Sequence, residues 1–134
     1  MPIINSPDVI AQVTPLHDAY ERALVANDSA AVKNFFWDSP DVVRFGPYDQ
    51  IYGAEALAEY LRTTTQVFVE RRMIRRSVLG LGQDVASVTS EYEQMASGQL
   101  RRNRQSQVWV RFPGVGWKIV SAHVSIISAG APRP

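Results

Sequence analysis

The residues in this chain that could do chemistry are few, and most are hydrogen-bond donors. Arg44 lies inside the short apolar run Val42-Val43-Arg44-Phe45. A strand that short is not exposed along its length. The guanidinium there is either half of a buried ion pair, with Asp41, Glu91 or Glu93 as partner, or a clamp whose planar fork meets a ligand carboxylate in two parallel hydrogen bonds. Arg104, Ser106 and Gln107 add donors on a later strand, in the segment Arg101-Arg102-Asn103-Arg104-Gln105-Ser106-Gln107. His123 alternates with Ser121 and Ser125. It is either a hydrogen-bonded histidine at a sheet-to-sheet dimer interface or a group that moves a proton. Tyr20 and Tyr60 can aim a hydroxyl at a pocket, and Trp37 is expected to bound it. His17 precedes Tyr20 by three residues on the same helical face and is expected as a surface or partly buried histidine rather than as a base. The candidate ligand-binding set is therefore Tyr20, Trp37, Arg44, Tyr60, Arg104, Ser106 and Gln107, with His123 as the catalytic candidate.

Several chemistries are excluded or find no support. The chain has no cysteine, so disulfides, thiolate metal sites and a cysteine nucleophile are ruled out. Its two histidines are far apart and no HExxH-type spacing occurs, so neither a metal nor any other cofactor is expected. There is no GxSxG, GxGxxG or GxxxxGK[ST] motif. A net charge of +1 argues against nucleic-acid binding. Twelve of the fourteen cations are Arg, which suits either anion recognition or an arginine-rich codon usage. No apolar run reaches membrane-spanning length and no signal segment is evident, so a cytoplasmic protein is expected. A chain of 134 residues is expected to form one domain over residues 1–134.

The elements that must position these groups read clearly. Ser6-Pro7-Asp8 is a helix start, and Val9, Val13, Leu16, Tyr20 and Leu24 repeat at helical spacing. Pro15 falls inside that run and is expected to kink the helix or restart it at Thr14. Asp28 can cap a short second helix that closes on Phe35, Phe36 and Trp37. A short strand at residues 42–45 and a third helix from Ala54 to about Thr64 follow. Strand character then persists from Val67 to Leu81, Asp84 to Met95, and through two runs joined at Pro113-Gly114-Val115-Gly116. In the second of these runs Val120, Ala122, Val124 and Ile126 alternate with Ser121, His123 and Ser125. The expected architecture is α+β: a cone-shaped, curved antiparallel sheet wrapped round a long N-terminal helix, open at one end. Which side of the strand at residues 99–112 faces the cone is open. Val108, Val110 and Phe112 favour turning Arg104 and Ser106 inward.

This order of elements resembles the nuclear transport factor 2-like (cystatin-like, SnoaL-like) superfamily. Three segments, FWDSPDVVRFGPYDQIYGAEALAEY, RRNRQSQVWVRF and GWKIVSAHVS, resemble the AtzH-like family in order and spacing. The stretch GWKIVSAHVS followed by SAGAP is also similar to the association domain of calcium/calmodulin-dependent protein kinase. That likeness favours the opposite parity, with Gln107 and Trp109 inward, and a bulge would serve both. The AtzH-like resemblance implies a homodimer built through the sheet, a pocket at the mouth of the cone, and a small carboxylated or ureido ligand. It further implies decarboxylation of small carboxylated ureas, or an accessory role beside an amidase partner. Superfamily enzymes that isomerise steroids carry a carboxylate base near the end of the first strand; Val43-Arg44-Phe45 has a cation there instead, which argues for anion binding over proton abstraction beside a carbonyl. The rival function, from another class, is a non-catalytic dimeric association module whose interface includes Ser121, His123 and Ser125.

Overall fold

The computed structural model describes residues 2–65, 67–96 and 98–128. Helix α1 (Pro7–Val25) is followed by α2 (Ser29–Phe35), strands β1 (Val43–Phe45) and β2 (Gln50–Tyr52), helix α3 (Ala54–Thr63), and four long strands: β3 (Val69–Leu81), β4 (Val85–Ala96), β5 (Gln99–Phe112) and β6 (Gly116–Ser128). The strands form one curved sheet in the order β2-β1-β6-β5-β4-β3, with α1 on its inner face. The fold is the expected α+β architecture.

Helix α1 runs unbroken through Pro15, so the expected restart at Thr14 does not occur. Pro15 is exposed, and the loss of one backbone bond there is offset by the face that buries Val9, Val13, His17 and Tyr20 on the sheet. Ser6 stands at the N-cap position but its side chain makes no capping bond. Asp28 does cap α2, accepting from the Ala31 N–H at 3.1 Å. The start of α1 is pinned to β3 at Gly80, whose N–H donates to the Asn5 side-chain oxygen and whose carbonyl accepts from the Asn5 N–H. A Cβ on Gly80 would lie 3.1 Å from Val9 Cγ1, so a side chain there would push Val9 aside by a few tenths of an ångström.

Strand β2 is an addition to the sequence reading. Three residues are too few for a periodic pattern, and the strand exists because it pairs with β1 across the turn at residues 46–49 (Arg44 opposite Ile51). β1 in turn pairs parallel to β6, with Arg44 beside Ala122 and Phe45 beside His123; the other neighbouring pairs are antiparallel. The core sits between α1, α2, α3 and the inner sheet face, around Trp109, Leu57, Ile119, Val9, Val13 and Val88. Burying each large aliphatic there contributes about 1.5–3 kcal/mol.

Candidate functional site

Register in β5 decides what the inside of the cone contains. Asn103, Gln105, Gln107 and Trp109 are buried on the inner face, while Arg104, Ser106 and Val108 point outward. Of the two parities the sequence left open, the observed one turns Gln107 and Trp109 inward, so the candidates Arg104 and Ser106 lie outside the cone. Trp109, fully buried, shields more apolar area than Val108 and Val110 would, and two of the three inward amides take one hydrogen bond each. Gln105 Nε2 donates to the Tyr20 hydroxyl at 3.4 Å, and Trp109 Nε1 donates to Gln107 Oε1 at 3.0 Å. A bulge does exist, but in β6: Val108 stands opposite Ser121 and Trp109 opposite Ile119, leaving Val120 as the extra residue. It lets both Ile119 and Ala122 face inward.

At the mouth of the cone the inner sheet face, α1, α3 and the turn at residues 46–49 line a partly open cavity of about 320 Å³. Tyr20, Arg44, Tyr60, Asn103 and Gln105 open onto it together with Arg71. Of the sequence candidates, the structure gathers Tyr20, Arg44 and Tyr60 at this cavity. Gln107 is on the same face but fully buried and engaged with Trp109, one step deeper. Trp37 does not bound the cavity: its ring stacks on Phe112 at 5.0 Å, near the β5–β6 turn, because its N–H is held by the Ile119 carbonyl.

Arg44 is 9% exposed. Its NH1 donates to Asp49 Oδ2 at 2.6 Å and its guanidinium lies 5.0 Å from the Tyr60 ring centroid. None of Asp41, Glu91 and Glu93 is the partner. Glu91 and Glu93 face outward and pair with Arg102, and Asp41 is exposed before β1. The β1–β2 pairing folds the chain back and brings Asp49 within reach. Burial, followed by the charge of Glu21, pushes the Tyr20 hydroxyl up to about 12, so it stays a phenol that can donate. Asn103 Oδ1 is a buried acceptor with no partner among the described protein atoms.

A second polar group closes the far wall. Arg71 NH2 donates to Glu21 Oε2 at 3.2 Å and NH1 to Gln94 Oε1 at 3.1 Å, with the guanidinium 3.8 Å from the Tyr92 ring centroid. The Tyr92 hydroxyl donates to Glu21 Oε1 at 2.7 Å. His17, expected at the surface or partly buried, is fully buried behind this group. Its Nδ1 is 3.2 Å from Arg76 NH1, which can only donate, so the proton sits on Nε2, 3.6 Å from Glu21 Oε1. Burial first, then the Arg76 charge, lowers its pKa to about 4, and the ring is neutral at pH 7. The sequence reading missed Asp49, Arg71, Tyr92, Asn103 and Gln105 as site residues. Asn103 and Gln105 share the parity of Gln107, which was the signal available for them.

His123 is on the other side of the sheet from the cavity. It is exposed, meets Phe45 edge-on with ring centroids 6.0 Å apart, and lines an open outer groove with Arg75, Arg104, Ser106 and Ser125. Arg104 Nε donates there to Ser125 Oγ at 3.2 Å. The sheet therefore separates the catalytic candidate from Tyr20, Arg44 and Tyr60, and leaves it on the face of Arg104 and Ser106. Among the described residues, no three His, Asp or Glu side chains come together as a metal site, and no helix is long and apolar enough to cross a membrane.

The family profile of AtzH-like proteins matches residues 2–130. The chain belongs to the AtzH-like family. A cystatin-like fold protein from Burkholderia xenovorans LB400 is 39% identical over 98% of this chain and 100% of its own, with a TM-score of 0.89. A protein of unknown function from Pectobacterium atrosepticum SCRI1043 is 34% identical over 93% of this chain and 95% of its own, with a TM-score of 0.85. A nuclear transport factor 2-like superfamily protein from Salmonella enterica serovar Typhimurium LT2, 23% identical over 93% of this chain and 95% of its own, shares the fold at a TM-score of 0.75. No curated protein matches the chain. The AtzH-like chain thus carries a nuclear transport factor 2-like fold.

Proposed function

We propose that this AtzH-like protein binds a small carboxylate- or urea-type metabolite in the cavity at the cone mouth and acts on it without a cofactor. The observation that carries this is convergence: Arg44, Tyr20, Asn103 and Gln105 line one partly open cavity of about 320 Å³. Arg44 supplies a fork for a carboxylate. Asn103, at the cavity wall, has a buried Oδ1 with no partner among the described residues, an acceptor that a small turn of the side chain brings to a ligand N–H. The reaction that suits these groups is loss of carbon dioxide from the nitrogen of a carbamate-type substrate. The carbon–nitrogen electron pair stays on nitrogen, which takes a proton; the Tyr20 phenol is the donor on hand, replenished from solvent.

A thermal-shift series with small carboxylates and ureido acids tests the binding. A true ligand at a hundred times its Kd raises stability by about 2.7 kcal/mol. Arg44→Met keeps the apolar stem and is expected to lose that gain. Tyr20→Phe is expected to retain binding but lose carbon dioxide release. Equal stabilisation of wild type and Arg44→Met would sink the proposal.

A second reading concerns the outer face, where Arg104, Ser106 and His123 line a groove of about 890 Å³ with Arg75, Glu91 and Ser125. We infer that this face joins two copies in a cytoplasmic homodimer, the arrangement that also suits an association module beside an amidase. Light scattering at micromolar concentration checks it: a dimer that His123→Glu converts to monomer is expected, and a monomeric wild type overturns it.

A further inference from the structure

The fixed charges at the cavity cancel in pairs: Arg44 with Asp49, and Arg71 with Glu21. A small anion entering it meets no net positive charge unless one carboxylate gives way. The two pairs are not equally able to do so. Glu21 is on a helix, 12% exposed, and holds donors on both oxygens, from Tyr92 and Arg71. Asp49 is in the β1–β2 turn, 20% exposed, beside a Tyr48 that is 84% exposed. Asp49 also borders an open depression of about 540 Å³ on the other side of that turn, with Phe45, Gln50 and His123, so its carboxylate has somewhere to go.

Gly46 makes the pair sterically feasible. A Cβ there would lie 2.3 Å from Asp49 Oδ1 and 3.0 Å from Arg44 NH1. Unlike Gly53 and Gly114, Gly46 does not hold left-handed backbone. The site uses its missing side chain rather than its conformational freedom.

We propose that Asp49 is an internal anion: in the empty cavity it occupies the carboxylate position on Arg44, and a ligand binds by displacing it. This rests on the carboxylate-binding reading above and adds its selectivity. A ligand carboxylate that engages the guanidinium fork with both oxygens outcompetes Asp49, which makes one hydrogen bond to NH1. A neutral amide or urea does not. Asp49 and Gly46 are thus specificity-determining residues, and the affinity of every anionic ligand is reduced by the fraction of molecules in which Asp49 is in place.

Acetate is the probe, titrated calorimetrically into wild type, Arg44→Met, Asp49→Asn, Gly46→Ala and the Arg44→Met/Asp49→Asn double variant. If Asp49 is in place in about nine molecules in ten, Asp49→Asn binds acetate about tenfold more tightly than wild type. Gly46→Ala shifts affinity in the same direction with Asp49 still present, and decides the matter if Asp49→Asn does not fold. The double variant loses acetate. If Asp49→Asn and Gly46→Ala both bind acetate no better than wild type, while Arg44→Met abolishes binding, displacement is wrong and the carboxylate site stands. If acetate binding is indifferent to Arg44→Met, the carboxylate site itself falls, and displacement with it.

Discussion

The two faces of the sheet use the same ion pair to different ends. On the outer face Arg72 donates to Glu93 at 2.8 Å with its side chain 72% exposed. On the inner face Arg71, the preceding residue, donates to Glu21 at 3.2 Å with its side chain 8% exposed. Distance barely separates the two; access to water does. Outside, the pair competes with hydration and holds the Glu93 carboxyl below its usual range mainly through the Arg72 hydrogen bond, with little consequence for stability. Inside, each charge must be matched, and the matching fixes where Arg71, Tyr92 and Glu21 stand around the cavity. Burial rather than residue type turns an arginine into part of a site.

The contrast is broken most severely where the inner face is apolar. Trp109→Ala is expected to cost about 3–5 kcal/mol in urea unfolding, because a fully buried indole leaves a void and strands the Gln107 side chain. Val108→Ala, one residue away on the outer face, is expected to cost about 0.5 kcal/mol. Equal losses would mean that the register assigned to β5 is wrong.

The inner ion pair comes next. Glu21→Gln leaves Arg71 without its countercharge and is expected to cost about 3 kcal/mol. Hydrogen exchange of the Tyr92 and Arg71 amides reports whether the loss is local to the cavity wall.

Acid sharpens the comparison through His17. Its folded pKa is about 4 against an ordinary 6.5, so the unfolded chain binds more protons between those values. This contribution to stability is present at pH 7 and is lost as pH falls from about 6.5 towards 4. The loss is roughly 3 kcal/mol at most, by the size of the shift. His17→Gln is expected to flatten the pH dependence of the urea midpoint in that window; exposed His123→Gln is not. The smallest effect belongs to Arg104→Ala, within about 0.5 kcal/mol for the folded chain. A larger change accompanied by a fall in light-scattering mass would assign Arg104 to the dimer contact.

Local pattern carried much of this protein. Apolar spacing from Val9 to Leu24 specifies α1, Asp28 caps α2, and the alternation Ala86, Val88, Ser90, Tyr92 defines the buried side of β4. The apolar flanks of Arg44 were enough to mark it as a cation held inside. These are short-range properties, set by helix and strand periods and by capping groups a few residues away. The cavity was decided elsewhere. In a strand, a one-residue slip exchanges the two faces, so the bulge at Val120 and the fully buried Trp109 settled that Asn103 and Gln105, rather than Arg104 and Ser106, look inward. Asp49 met Arg44 only because β2 pairs with β1, and His17 met Arg76, 59 residues away, only because α1 lies on β3. Contacts between segments distant in the chain depend on how the elements pack, and no period within either segment encodes that.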